Sequence, residues 1–131
     1  MAKKRMFSMD VVDTDAFLDL PPGAQALYFH LGMHGDDDGF VGNPRKLMRN
    51  VGCRTRDLTT LIEKGYVIAF DSGVVAVRDW RLNNELKNDR YHATIYSEEK
   101  EMLTVDASRR YVLDPYRLSD GSALEPEPNV T

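Results

Sequence analysis

Between Asn43 and Trp80 the hydrophobic period changes, and that change limits the folds open to this chain more than any other feature. NPRKLMRNVGCRTRDLTTLIEKG carries its apolar residues at helical spacing, whereas YVIAFDSGVVAVRDW holds two β-rich runs. Asn43 before Pro44 is a strong helix start: the Asn side chain accepts an amide N–H, and proline sits where no N–H is needed. PRKLMRNV then puts Leu47, Met48 and Val51 on one face, and Gly52 stops it. After a three-residue turn, Thr55 to Lys64 carries Leu58, Leu61 and Ile62 on one face, with Lys64-Gly65 as its end. YVIAF and VVAVRDW, joined by Asp71-Ser72-Gly73, predict a hairpin.

Two helices, a tight turn and a hairpin form the order of a winged helix-turn-helix. Upstream, Met6 to Val12 predicts a short strand or extended arm, and Asp13-Thr14-Asp15 caps a short helix, AFLDL, that Pro21-Pro22 interrupts. Ala24, Leu27, Tyr28 and Leu31 then form the buried stripe of a helix ending near His34-Gly35. DDDGFVG is expected as a solvated polar turn followed by one or two strand residues. Beyond Trp80, Leu82, Leu86, Tyr91, Ile95, Tyr96 and Leu103 are apolar groups for docking, SEEKEML predicts a short helix, and Asn83, Asn84, Asp89 and Arg90 are expected to cap and pin the segment. The fold class expected is α+β, mostly helical: a winged helix-turn-helix with a two-stranded β-hairpin wing and a C-terminal extension. It divides into a domain at 1–80, an extension packed on it at 81–118, and an acidic, disordered tail at 119–131.

The formal charge of -4 is unevenly placed. Residues 1–64 hold nine basic and nine acidic side chains, residues 65–96 four of each, and residues 97–131 four basic against eight acidic. The acidity belongs to the last quarter, so it does not argue against a polyanionic partner for the body. Within the body, NPRKLMRNVGCRTR holds five cations, and no Asp or Glu occurs from Gly39 to Arg56. Solvated helix faces usually mix signs, which favours contact with double-stranded DNA over a plain wet surface. Arg54, Thr55, Arg56, Thr59 and Thr60 lie at the beginning and outer face of the second helix, where they suit base edges or phosphates, and Arg45, Lys46 and Arg49 on the first suit phosphates. The hairpin tip has no cation, and Asp71 there would repel phosphate.

The pattern RMFSMDVVDTDAFLDLP, then AQALYFHLGMHGDDDGFV, then DW…NN…NDRY…T.Y.EE, resembles the N-terminal domain of phage replisome organisers, replication-initiation proteins related to the DnaD-like primosomal proteins. The similarity runs from about Arg5 to Lys100. It implies a winged-helix domain that takes part in replication initiation, self-associates, and contacts DNA or a helicase-loading or other replisome protein. Members of that family often continue into a second domain that contributes DNA binding; this sequence runs instead into an acidic tail. Two other readings stand beside it: an oligomerisation module with little DNA affinity, and a winged-helix transcriptional regulator.

Other chemistries find less support. His30 and His34 precede three aspartates, but a helix end beside a solvated turn explains them without a metal. Cys53 beside Arg54 at a helix start is a setting that lowers a thiol pKa, yet no His lies near it in sequence. No GxxxxGK motif occurs, so no enzyme, no cofactor and no metal is expected. Tyr28, Trp80, Tyr91 and Tyr96 are better placed as core and anchor residues than as stacking platforms for bases. A lone cysteine, no apolar signal run before Asp10 and no membrane span lead to the expectation of a cytoplasmic protein.

Overall fold

The computed structural model describes residues 4–85 and 90–114. The tail expected at 119–131, together with Leu86 and Asp89 of the docking segment, lies outside the described residues. The fold is α+β, with a small antiparallel sheet among helices. In chain order the elements are α1 (Met9–Val12), α2 (Asp15–Leu18), α3 (Pro22–His34), β1 (Phe40–Val41), α4 (Pro44–Val51), α5 (Thr55–Glu63), β2 (Val67–Ala69), β3 (Val75–Val77), α6 (Trp80–Asn83), α7 (Ser97–Glu101), β4 (Leu103–Val105) and β5 (Tyr111–Leu113).

The strand expected within Met6 to Val12 is corrected: Met9–Val12 is one helical turn. The Ser8 hydroxyl accepts the Asp10 N–H (3.1 Å), and this cap with buried Val11 overrides the extended preference of two adjacent valines. Residues 6–8 do run as an arm, whose Met6 and Ser8 N–H groups donate to the Asn84 and Asn83 side chains (both 2.8 Å). Thr14 caps α2 by accepting the Phe17 N–H (3.1 Å).

Helix α3 runs through the centre of the core. Ala24, Leu27, Tyr28 and Leu31 are completely buried, and both α4 and α5 pack against this helix. The hairpin expected at Asp71-Ser72-Gly73 forms, with the Phe70 N–H donating to the Val74 carbonyl and Gly73 at φ 93. It gains a third strand: β1 pairs with β3, so the order is β1-β3-β2, with Phe40 opposite Ala76 and Ile68 opposite Ala76 on the other side. Central β3 is buried along its whole length, which is why VVAV shows no alternation. Gly39, at φ 86, leads into β1 directly against Trp80, where an added Cβ would stand 2.5 Å from the indole.

After β3 the chain forms α6, α7 and a second sheet, the β4–β5 hairpin, which the sequence reading did not find. Leu103 and Tyr111 of this hairpin are buried, and the Tyr111 N–H donates to the Arg78 carbonyl (2.9 Å). Among the described residues no helix is long and apolar enough to cross a membrane.

Beneath these elements lies a set of buried carboxylates. Asp79 has no exposed surface; it accepts from the Tyr28 hydroxyl (3.3 Å), Arg78 Nε (3.1 Å) and Arg110 Nε (2.7 Å). The expected solvated aspartate turn is also corrected. Asp37 and Asp38 are buried, and Asp36 is half-buried. Asp36 accepts the Asp38 and Phe40 N–H groups and the Thr94 hydroxyl. Asp37 pairs with Arg5 (3.1 Å) and accepts the His92 N–H, while Asp38 accepts from the Tyr91 hydroxyl and the Thr94 N–H (2.9 Å). A buried carboxylate persists only with such partners, and for Asp37 and Asp38 these come from Arg5 near the N-terminus and from the segment before α7.

Candidate nucleic-acid interface

Helices α4 and α5 follow from local chemistry. The Asn43 side chain accepts the Lys46 N–H (3.1 Å), Pro44 takes the first helical position, and Gly52 closes α4 in the left-handed region at φ 80. With Leu47, Met48, Leu58 and Leu61 turned to the core, the opposite faces of both helices meet solvent. Arg45, Lys46 and Arg49 are exposed on α4; Arg54, Thr55, Arg56 and Thr59 are exposed at and after the start of α5. Thr60 differs from its neighbours in being half-buried.

Among the described residues, none of Arg45, Lys46, Arg49, Arg54 and Arg56 forms an ion pair. The nearest acid in sequence, Asp57, is buried and turned inward. Its carboxylate accepts the Arg54 N–H (2.8 Å) and packs so closely on the start of α3 that a Cβ on Gly23 would lie 2.6 Å from it. That is half of a capping box, with the acid at the third helical position reaching back to the cap. An exposed acid returns only at Glu63, the last residue of α5. The face is therefore cationic without a compensating carboxylate in contact.

The hairpin tip is different. The Ser72 hydroxyl donates to Glu99 of α7 (2.7 Å), which adds a second acid beside Asp71. Phosphate would be repelled there.

No protein-family model, curated protein or solved structure matches the chain.

The remaining side chains singled out in the sequence occupy structural positions. The expectation for Cys53 is corrected: burial, followed by the Asp57 charge, pushes its thiol up, and the thiol faces the Gly23 carbonyl at 3.8 Å. His34 Nδ1 lies 2.9 Å from the His30 carbonyl within the helix. Among the described residues no group of three or more His, Cys, Asp or Glu is arranged to hold a metal ion. Tyr28 and Trp80 are buried, which leaves no ring face open to a base.

Sequence reasoning missed one constellation. The Tyr91 hydroxyl donates to Asp38 and accepts from Lys100 Nζ (2.8 Å), which itself stands 3.3 Å from Asp38. Burial and the hydrogen bond to Asp38 raise the Tyr91 pKa. For Lys100, burial works against the charge, but the Tyr91 hydrogen bond and the Asp38 carboxylate outweigh it and its pKa ends higher. A run of three consecutive aspartates carries no such signal, because the Tyr91 and Thr94 groups that meet Asp38 lie more than fifty residues away.

Proposed function

We propose that this chain is a non-enzymatic winged-helix protein of phage or prophage type that binds double-stranded DNA through α4 and α5 during replication initiation. One observation carries the reading: five exposed cations on two consecutive short helices, none paired with a carboxylate among the described residues. The element order α3, β1, α4, α5, β2, β3 with sheet order β1-β3-β2 supports the winged-helix assignment, with α5 as the helix offered to the groove. The replication role rests on the motifs between Arg5 and Lys100. The acidic hairpin tip supports binding by the helices alone.

The test is a titration of labelled duplex at several salt concentrations. Neutralising three to five phosphates makes log affinity fall with log salt at a slope of about -3 to -4. Arg54→Ala with Arg56→Ala weakens binding and flattens that slope by about two. A flat salt response in the wild type removes the patch as a contact surface.

A second reading has its own observation. Met6, Met9, Leu18, Phe29 and Met33 are exposed, and the arm ring Phe7 meets Phe29 edge-on at 5.1 Å. An apolar surface of this kind supports self-association or docking of a replisome protein. Light scattering with and without duplex separates the two: a concentration-dependent oligomer that ignores duplex favours the second.

A further inference from the structure

The cations of the described residues fall into two groups. Arg5, Arg78, Arg81, Lys100, Arg109 and Arg110 stand against carboxylates of the same molecule. The others form no ion pair, and apart from Lys4 and Arg90 they are Arg45, Lys46, Arg49, Arg54, Arg56 and Lys64. All six lie on α4 and α5 or at their ends. The unpaired positive charge of the described residues is therefore gathered on one face.

The sequence supplies a segment of opposite sign. After Arg117 it holds Asp120, Glu125 and Glu127, and no further Lys or Arg up to Thr131. These residues lie outside the described ones, but the place from which the chain sets out towards them is defined. Leu113, the last residue of β5, lines one groove together with Ile62, next to the last residue of α5. Nine-residue α5 is about 14 Å long, and only three residues separate its start from the end of α4. An extended chain covers about 3.3 Å per residue, so Asp120 reaches about 20 Å beyond Asp114 and Glu127 about 43 Å. Those lengths carry the acids along α5 and across to α4. Other surfaces repel them: Asp71 and Glu99 stand at the first hairpin tip, and Asp10, Asp13, Asp15 and Asp19 are exposed in and around α1 and α2.

We propose that residues 119–127 occupy the α4–α5 face of their own copy, with their carboxylates against Arg54, Arg56 and the α4 cations. Duplex DNA then has to displace them. That competition rests on the DNA-binding reading above; the contact itself does not. Each exposed ion pair is weak, but a short tether holds the acids at the face at an effective concentration on the order of millimolar. Salt screens the contact, with a Debye length of about 10 Å at 0.1 M.

Two measurements on the intact chain test this. In the first, a carbodiimide joins carboxylates to lysine amines in direct contact, and peptide mass spectrometry locates the links. Links from Asp120, Glu125 or Glu127 to Lys46 or Lys64 within one copy are expected, and high salt is expected to suppress them. Links made mainly to Lys4 or Lys100 overturn the proposal, as do links found only between isotopically labelled and unlabelled copies. The second measurement compares duplex affinity of the wild type with that of a variant carrying Asp120→Asn, Glu125→Gln and Glu127→Gln. The variant is expected to bind about three- to tenfold more tightly at low salt, with the difference closing as salt rises. A control carrying Asp10→Asn, Asp13→Asn and Glu101→Gln removes the same charge from α1 and α7 and is expected to gain about twofold or less. No gain in the first variant, or an equal gain in the control, overturns the proposal. If neither the wild type nor the first variant binds duplex, the DNA-binding reading fails, and the links to Lys46 or Lys64 alone decide whether the contact exists.

Discussion

The Tyr111 hydroxyl donates to the Asp38 carbonyl at 2.6 Å from a nearly enclosed position, and burial pushes its pKa from 10.0 to about 12. Below pH 10 the phenol is protonated in folded and unfolded chains alike, and the stabilisation is complete. Between pH 10 and 12 the unfolded chain loses this proton first, so it binds fewer protons than the native state and stability falls as pH rises. Burial likewise raises the Tyr28 phenol, which accepts from Asn83 and donates to Asp79, so both tyrosines act in the same alkaline window. Tyr111→Phe is expected to lower stability by about 1–2 kcal/mol at pH 7, because the Asp38 carbonyl loses its donor. It should also make the further loss between pH 8 and pH 11 shallower than in the wild type. Urea midpoints at pH 7, 8 and 11 check this; equal alkaline losses in both proteins would mean that Tyr111 does not titrate as its burial implies. None of this was legible in the sequence. Asp36-Asp37-Asp38 has the composition of a solvated turn, and Tyr111 has no local pattern around it that assigns it a partner 73 residues away.

Elements built by local chemistry were the legible ones. Asn43-Pro44, Gly52 and Lys64-Gly65 mark α4 and α5 to within a residue of where they lie, because caps act on backbone groups only a few positions distant. The basic face was legible for the same reason: helical spacing alone assigns Arg45, Lys46 and Arg49 to one side once Leu47 and Met48 are known to face inward. Thr60 is half-buried because it lies one turn from inward-facing Asp57, at the edge of the buried stripe. The β4–β5 hairpin was missed since each strand has three residues, too few for alternation to be counted, and its burial rests on Leu103 and Tyr111 alone. At this scale the decisive cap is Asn43. Asn43→Ala removes the acceptor for the Lys46 N–H and is expected to cost about 1 kcal/mol. Thermal denaturation detects this as a Tm lower by several degrees for a domain of this size. A wild-type Tm in the variant would show that tertiary packing of Leu47 and Met48 holds the first turn without its cap.

Across the whole molecule, segments distant in sequence close on Asp79 and its neighbours. The arm arrives through Ser8 on Asn83, α3 through Tyr28, and the β4–β5 hairpin through Arg110 on the Asp79 carboxylate. A chain ending at residue 85 keeps α1 to α6 and both strands of the first hairpin, and by element count it contains the whole of the three-stranded sheet. It lacks, however, the Leu103 and Tyr111 side chains, each contributing about 2–3 kcal/mol of burial. Asp79 is also left with Arg78 as its single cationic partner, and loss of one member of a buried charge cluster costs about 3–5 kcal/mol. Together these losses reach the 5–15 kcal/mol that holds a domain of ordinary stability. The expected outcome for residues 1–85 is a loss of cooperative unfolding, with near-UV circular dichroism of Trp80 collapsed while helical signal persists. Asp79→Asn in the full chain supplies the comparison, since it removes the charge but leaves the hairpin to cover the core. If residues 1–85 unfold as sharply as the full chain, the helices and first sheet hold together without the hairpin, and Asp79 is satisfied by Arg78 and Tyr28 alone.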